Sequence, residues 1–511
     1  MIARLYNALL PVLCLVLVNG TGCKKETLPS TTTQIKRPAS LVATLTLPRG
    51  NDFSELVSRI NELGVPGAMV GVGAASGVIS LLGMFAENSA DLQADQPMRL
   101  LLVGKPTGPD NIPAILLAKA REGATVKPAN DSLEVVQLGG LTMIGRKAKI
   151  KEYRAYVEFL GTTKFAPEPV AQIYPAALHK TFKDEIAQGF DTMMSQAASQ
   201  GNGQVDLTKV LAIYSRVGKA IVEQAEWIEV RVGPQERSIL EIASKPKANT
   251  VFDEFAKIQA PHAFDLAKHV PAGNAPRFYM EGHIPFGPLY DPMLDWVMEF
   301  MPELGSDYRD AFAEFAKLWD GRMFMAMDMD ITGLASGQPT FTAFMAASTK
   351  ESSASLMNKL WSSFEGKELD TAGVKQRFEY KKRAPIDGTD VHELITTMQV
   401  PNGTGDVIET KQRMVSVALD NWWAMSQSMG DPPSELAPLI KSLKSKGGAS
   451  ALSERATAAL KWAKTNKESM LFWVDLSKIV PDSVPVSEVR LTYGVRDDSG
   501  SREIVMGIDA R

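Results

Sequence analysis

The chain has 511 residues, of which 45% are hydrophobic and 22% charged, and it carries a formal net charge of −4. That length and apolar content support a large core, most simply as two domains. The near balance of charge excludes a nucleic-acid footprint, which needs a basic face; the runs "YKKR" (380–383) and "KSLKSK" (441–446) read as solvated charges. Only two cysteines occur, Cys14 and Cys23.

The N-terminus is the most informative stretch. One cation, Arg4, precedes a run from Leu5 to Val18 that is apolar except for Asn7, and small residues then lead to Cys23 through Gly20-Thr21-Gly22. A short apolar core engages export machinery, and small side chains fit a signal peptidase. The stretch resembles the lipobox signal of bacterial lipoproteins, with Gly20 where that family usually carries leucine. The resemblance implies a cut between Gly22 and Cys23 and a diacylglycerol on the Cys23 thiol. It also implies residence in the bacterial cell envelope, with Lys24 after the cysteine favouring the outer membrane. The alternatives are a plain secretory signal and an uncleaved anchor, though Leu5–Gly22 is short for a span. Loss of residues 1–22 removes Cys14, leaving the folded body without a disulfide, a thiolate zinc site or a cysteine nucleophile.

Residues 23–38 follow as a tether: "KKETLPSTTTQIKRP" is polar and Pro-containing, without an apolar period. A flexible segment of this length spans about 20 Å. No cofactor is expected beyond the acyl group. The expected partners are the membrane through the lipid anchor, and an envelope protein or an apolar ligand, with no nucleic acid.

The remaining chain predicts an α+β fold in two loosely duplicated halves, 39–260 and 261–511. Each half is expected to be a mixed or antiparallel sheet covered by helices and closing with a β-hairpin. Strands are predicted at 41–47, 98–104, 141–145 and 170–174, then at 277–283, 340–348, 414–419 and 470–476. Helices are predicted at 111–122, 148–160, 178–198, 351–364, 420–429 and 452–465. The closing hairpins, 227–244 and 487–509, both begin with Glu-Val-Arg, at 229–231 and 488–490.

Within the first half, Val65–Ala86 is free of charge, with Gly67/Gly71 and Gly73/Gly77 four apart. That spacing lets helices approach closely. The segment reads as buried core, as a groove or lid for apolar ligands, or as a membrane span. "GVGAAS" lacks the last glycine of a dinucleotide fingerprint, and "LLLVGKPTG" has Arg99 where a phosphate loop needs its first glycine.

Three of the five histidines fall between 262 and 283. His262, Asp265 and His269 share a face if their segment is helical, and Glu281 and His283 share a face of the next strand. Together they offer nitrogen and oxygen ligands to zinc, the basis of a metal-dependent hydrolase reading. The bland reading is a structural hinge. "HELIT" (392–396) has Thr396 in place of the second zincin histidine, and Pro246 breaks the helix that "SKPK" would need. Asp328 and Asp330 share a strand face and read as a solvent-facing pair, whereas most of the tryptophans, including Trp422-Trp423, read as core. These readings lean toward a binding or scaffolding protein without catalysis.

Overall fold

In the computed structural model the described residues are 37–50, 52, 78–105, 113–163, 165, 168–188, 219–220, 222–231, 240–271, 276–285, 287–291, 294–295, 298, 305–330, 340–371, 374–401, 407–428, 433–445, 447–448, 451–477, 487–498 and 501–510. The expected α+β fold of two duplicated halves is overturned. Nineteen strands fall among the described residues, and every described ladder is antiparallel. Part of the reason is in the connections: tight turns at 139–140, 387–388 and 420–421 join consecutive strands directly, and such links can only make antiparallel pairs. Two compact units divide the chain, one comprising 25–189 and 225–245, the other built mainly from 246–511.

The smaller unit carries β1 (Ala43–Leu47), β2 (Met98–Leu102), β3 (Ala114–Ala118), β4 (Leu133–Leu138), β5 (Leu141–Arg146), β6 (Val170–Ile173), β7 (Ala225–Arg231) and β8 (Leu240–Pro246). Their ladders run β4-β5-β3-β2-β1-β6-β7. Helix α1 (Val78–Gly83) lies on one face and α2 (Lys147–Thr162) on the other. β3 is therefore buried on both sides, Leu116 facing the cluster of Leu81, Leu82 and Phe85, and Ile115 and Leu117 facing Tyr153 and Val157. This corrects the helix expected at 111–122. A strand covered on both faces loses its alternation, and a continuous apolar run looks like a buried helix.

The larger unit holds β9 (Phe278–His283), β10 (Trp319–Asp330), β11 (Thr340–Thr349), β12 (Glu368–Thr371), β13 (Val374–Ile386), β14 (Thr389–Pro401), β15 (Val407–Leu419), β16 (Trp422–Ser428), β17 (Met470–Asp475), β18 (Glu488–Asp498) and β19 (Ser501–Ala510). These pair in the order β12-β13-β14-β15-β16-β11-β10-β9-β17-β18-β19. The helix expected at 420–429 is the strand β16, turned tightly out of β15 at Asp420-Asn421, so the Trp422-Trp423 pair lies on a sheet.

One face of this sheet lies under helices α3 (Pro433–Lys444) and α4 (Glu454–Thr465). Leu436, Leu439 and Ile440 of α3 and Ala456, Ala459 and Ala463 of α4 meet Phe324, Ala346, Val415, Val417, Leu471 and Trp473, all buried. Helix α4 starts where Ser453 accepts a hydrogen bond from the Ala456 N–H at 3.2 Å, satisfying a donor that the first turn leaves open. The other face is rich in methionine. Along one register line Met425 faces Met345, Met345 faces Met325, Met325 faces Met280, and Met280 faces Phe472. Met323, Met327 and Met470 flank that line, and all seven methionines are half-buried.

Of the two expected hairpins, β18 and β19 pair from Val489↔Ala510 to Asp498↔Ser501. β7 and β8 form on either side of 232–239, which lies outside the described residues. The repeated Glu-Val-Arg has one local geometry. Arg231 pairs with Glu229 on its own strand and with Glu241 at 3.3 Å, and Arg490 pairs with Glu488 and with Asp509 at 3.9 Å.

Candidate functional site

The segment His262–His269, whose residues share a face only if it is helical, is irregular apart from a single 3-10 turn at Ala267–His269. Phe264 takes φ = +49°, a conformation that a bulky side chain adopts only when its surroundings impose it. Its ring, buried, meets the His262 ring edge-on at 5.0 Å between centroids. The His262 N–H donates to the Glu468 carbonyl at 2.9 Å, which ties the segment to the chain just ahead of β17.

Three side chains converge: His262, Asp265 and Glu281, with one potential ligand atom of each lying within 4.8 Å of the other two. Glu281 sits in the middle of the sheet on β9, with β10 and β17 on either side, and is completely buried. Its Oε1 accepts from His262 Nε2 at 2.9 Å and from the Leu266 N–H at 2.8 Å. Its Oε2 accepts from the Tyr279 hydroxyl at 2.6 Å. A buried carboxylate without such donors would be strongly disfavoured. The burial of Tyr279, with the Glu281 charge beside it, pushes its phenol well above the ordinary range and keeps it a donor.

Asp265 is the exposed member. Arg322 donates to its Oδ1 at 2.9 Å, and Lys268 Nζ lies 3.7 Å from Oδ2. Partial burial works against its ionisation, but Arg322, Lys268 and His262 together outweigh that and hold its carboxyl below the usual value.

The two remaining histidines of the expected metal set turn away. His269 Nδ1 donates to the Ser442 carbonyl at 3.1 Å, and its ring lies 5.8 Å from that of Trp422. His283 Nε2 donates to the Asp320 carbonyl at 3.1 Å. Its ring lies against Gly321, at φ = +98°, where an added Cβ would come within 2.8 Å of the imidazole. Burial lowers the pKa of both histidines. The structure thus brings His262, Asp265 and Glu281 together and leaves His269 and His283 as backbone-bonded packing groups.

The other candidates separate in the same way. Gly22, Cys23 and the glycines Gly67, Gly71, Gly73 and Gly77 lie outside the described residues. The described end of the charge-free segment, with Leu81, Leu82, Phe85 and Ala86, is close-packed core. Asp328 pairs with Arg277 at 3.3 Å, while the Asp330 side chain lies outside the described set. His392 and Glu393 of "HELIT" lie on β14. Glu393 is wholly buried and held by Arg383 at 2.6 and 2.7 Å, and the His392 ring nitrogen meets the Tyr380 hydroxyl at 2.9 Å.

Sequence reasoning missed the methionine face altogether, although "RMFMAMDMD" (322–330) puts methionine at every second position of a strand. Among the described residues no helix is long and apolar enough to cross a membrane. No protein-family model and no curated protein matches the chain, so its function must be argued from its own residues.

Proposed function

We propose that this chain is a lipid-anchored cell-envelope protein whose body acts by binding or scaffolding. One observation carries the reading: Leu5–Val18 is an apolar run that leads through Gly20-Thr21-Gly22 to Cys23, and a polar segment of tether composition follows. Two acyl chains on the processed N-terminus would hold the body stably at a bilayer, since each buried CH₂ contributes about 0.8 kcal/mol. Binding is favoured over catalysis because the polar side chains that converge are engaged with one another. Glu281 takes three donors, Glu393 takes Arg383 and Arg413, and His269 and His283 bond backbone carbonyls.

The test is intact mass on protein extracted from membranes, beside a Cys23→Ala variant. The wild type should lack residues 1–22 and carry the mass of a diacylglycerol-modified N-terminus, and the variant should lose the modification and leave the membrane fraction. A wild-type chain that retains residues 1–22, or has an unmodified thiol, overturns the reading.

A further inference from the structure

We propose that His262, Asp265 and Glu281 bind one divalent transition-metal ion of the zinc class. A neutral imidazole and two carboxylates make a donor set that zinc accepts and that calcium or magnesium, which prefer all-oxygen shells, does not favour. Metal–donor bonds of about 2.0–2.2 Å place neighbouring donors of a tetrahedral shell roughly 3.3–3.5 Å apart. His262 Nε2 and Glu281 Oε1 are already 2.9 Å apart, and the three potential ligand atoms lie within 4.8 Å of one another. Closing the shell therefore needs a small rotation of Asp265, the one member with an exposed side chain.

The arrangement differs from an ordinary surface group of carboxylates in two respects. Two of its three members are buried, Glu281 at 0% and His262 at 5% exposure. Its buried carboxylate is also fixed from behind: the Tyr279 hydroxyl donates to Oε2 and the Leu266 N–H to Oε1. Donors of this kind orient metal-ligating carboxylates and tune their affinity. Asp265 is the exposed member, so the cluster reaches solvent on its side.

In the metal-free chain a proton on His262 Nε2 bridges to Glu281, and Arg322 and Lys268 balance Asp265. Binding exchanges partners: the imidazole proton moves from Nε2 to Nδ1, the freed Nε2 lone pair takes the metal, and Asp265 turns from Arg322 toward the ion. The two carboxylates then neutralise the dication, and both cationic side chains remain at the surface.

The experiment uses the full chain, stripped with chelator and titrated with Zn²⁺ by calorimetry, with thermal unfolding followed in parallel. The expected result is one site per chain and a higher Tm with zinc. Asp265→Asn, at an exposed position that leaves the fold intact, should weaken binding by about 100-fold or more, and Tyr279→Phe by about 10–100-fold. His283→Asn should bind as the wild type does. No saturable uptake at sub-millimolar zinc overturns the proposal. So does equal affinity in Asp265→Asn, or loss of binding in His283→Asn. Acylation at Cys23 has no part in these readouts, so this proposal and the envelope reading fail independently.

Discussion

The two faces of the larger unit's sheet are built from the same strands but from different chemistry. The face under α3 and α4 is packed with Val, Leu, Ala and Trp, and at its centre it buries one fully satisfied carboxylate, Glu281. The opposite face carries seven half-buried methionines along β9, β10, β11, β16 and β17. Branched and small side chains give a close-packed layer a single arrangement, whereas the unbranched thioether adapts to an irregular or changing neighbour. The face under α3 and α4 is close-packed core, while the methionine stripe of the second face, between smaller buried clusters, is composed to adapt to its neighbours.

Breaking the covered face should have the largest effect. Glu281→Ala leaves the His262 ring N–H, the Leu266 N–H and the Tyr279 hydroxyl without an acceptor, each at a cost of about 1–3 kcal/mol. Urea denaturation should show a loss above about 3 kcal/mol, larger than any single substitution on the methionine face. Leu439→Ala, at 0% exposure under the same layer, should cost about 2–5 kcal/mol. Met345→Ala, the matched truncation on the opposite face, should cost less, about 1–2 kcal/mol, because the side chain keeps part of its surface in water and its neighbours can adapt. Equal losses at Leu439 and Met345 would dissolve the contrast between the faces.

Acidification should act more gently. Burial lowers the pKa of His269, His283 and His392 from the ordinary 6.5. Below that value the unfolded chain binds protons that the folded chain resists. Stability should therefore be full above pH 6.5 and decline as pH falls toward the folded-state values, by at most about 1.4 kcal/mol per pH unit for each histidine. Urea midpoints at pH 7.5 and 5.5 test this, and a higher midpoint at 5.5 contradicts it. The mildest perturbation is dilute peroxide. Met280, Met325, Met345 and Met425 should form sulfoxides in the folded protein well before Met143 and Met357, which are at 0% exposure, as peptide mass mapping would show.

Much of the strand pattern was legible in the residues. The predicted strands at 41–47, 98–104, 277–283 and 470–476 correspond to β1, β2, β9 and β17 because turn residues bound their apolar runs. The β13–β16 meander was largely hidden. "YKKR" reads as solvated charge and "HELIT" stands out only as an incomplete zincin motif, yet antiparallel pairing places Lys382 opposite His392 and Leu394 opposite Met414. Cross-strand partners, rather than local propensity, decide such segments. The site was half legible: its three members were all named and Glu281 was placed on its strand, but His262 and Asp265 were grouped with His269 on a helical face. The left-handed turn at Phe264, which carries Asp265 and the Leu266 N–H toward Glu281, leaves no mark in composition or spacing.

One feature of β13 bears on how many copies can share a surface. Beyond the short pairing with β12, which ends at Arg377, no described strand lies along the outer side of residues 381–386. That stretch has Lys381, Lys382 and Arg383, then an irregular register before Ile386, and Pro385, which lacks an N–H. Charge, broken register and a missing donor each discourage another chain from extending the sheet. Were the chain anchored as proposed, copies confined to a plane would meet far more often than in free solution, and a guarded flank would keep them from zipping strand to strand.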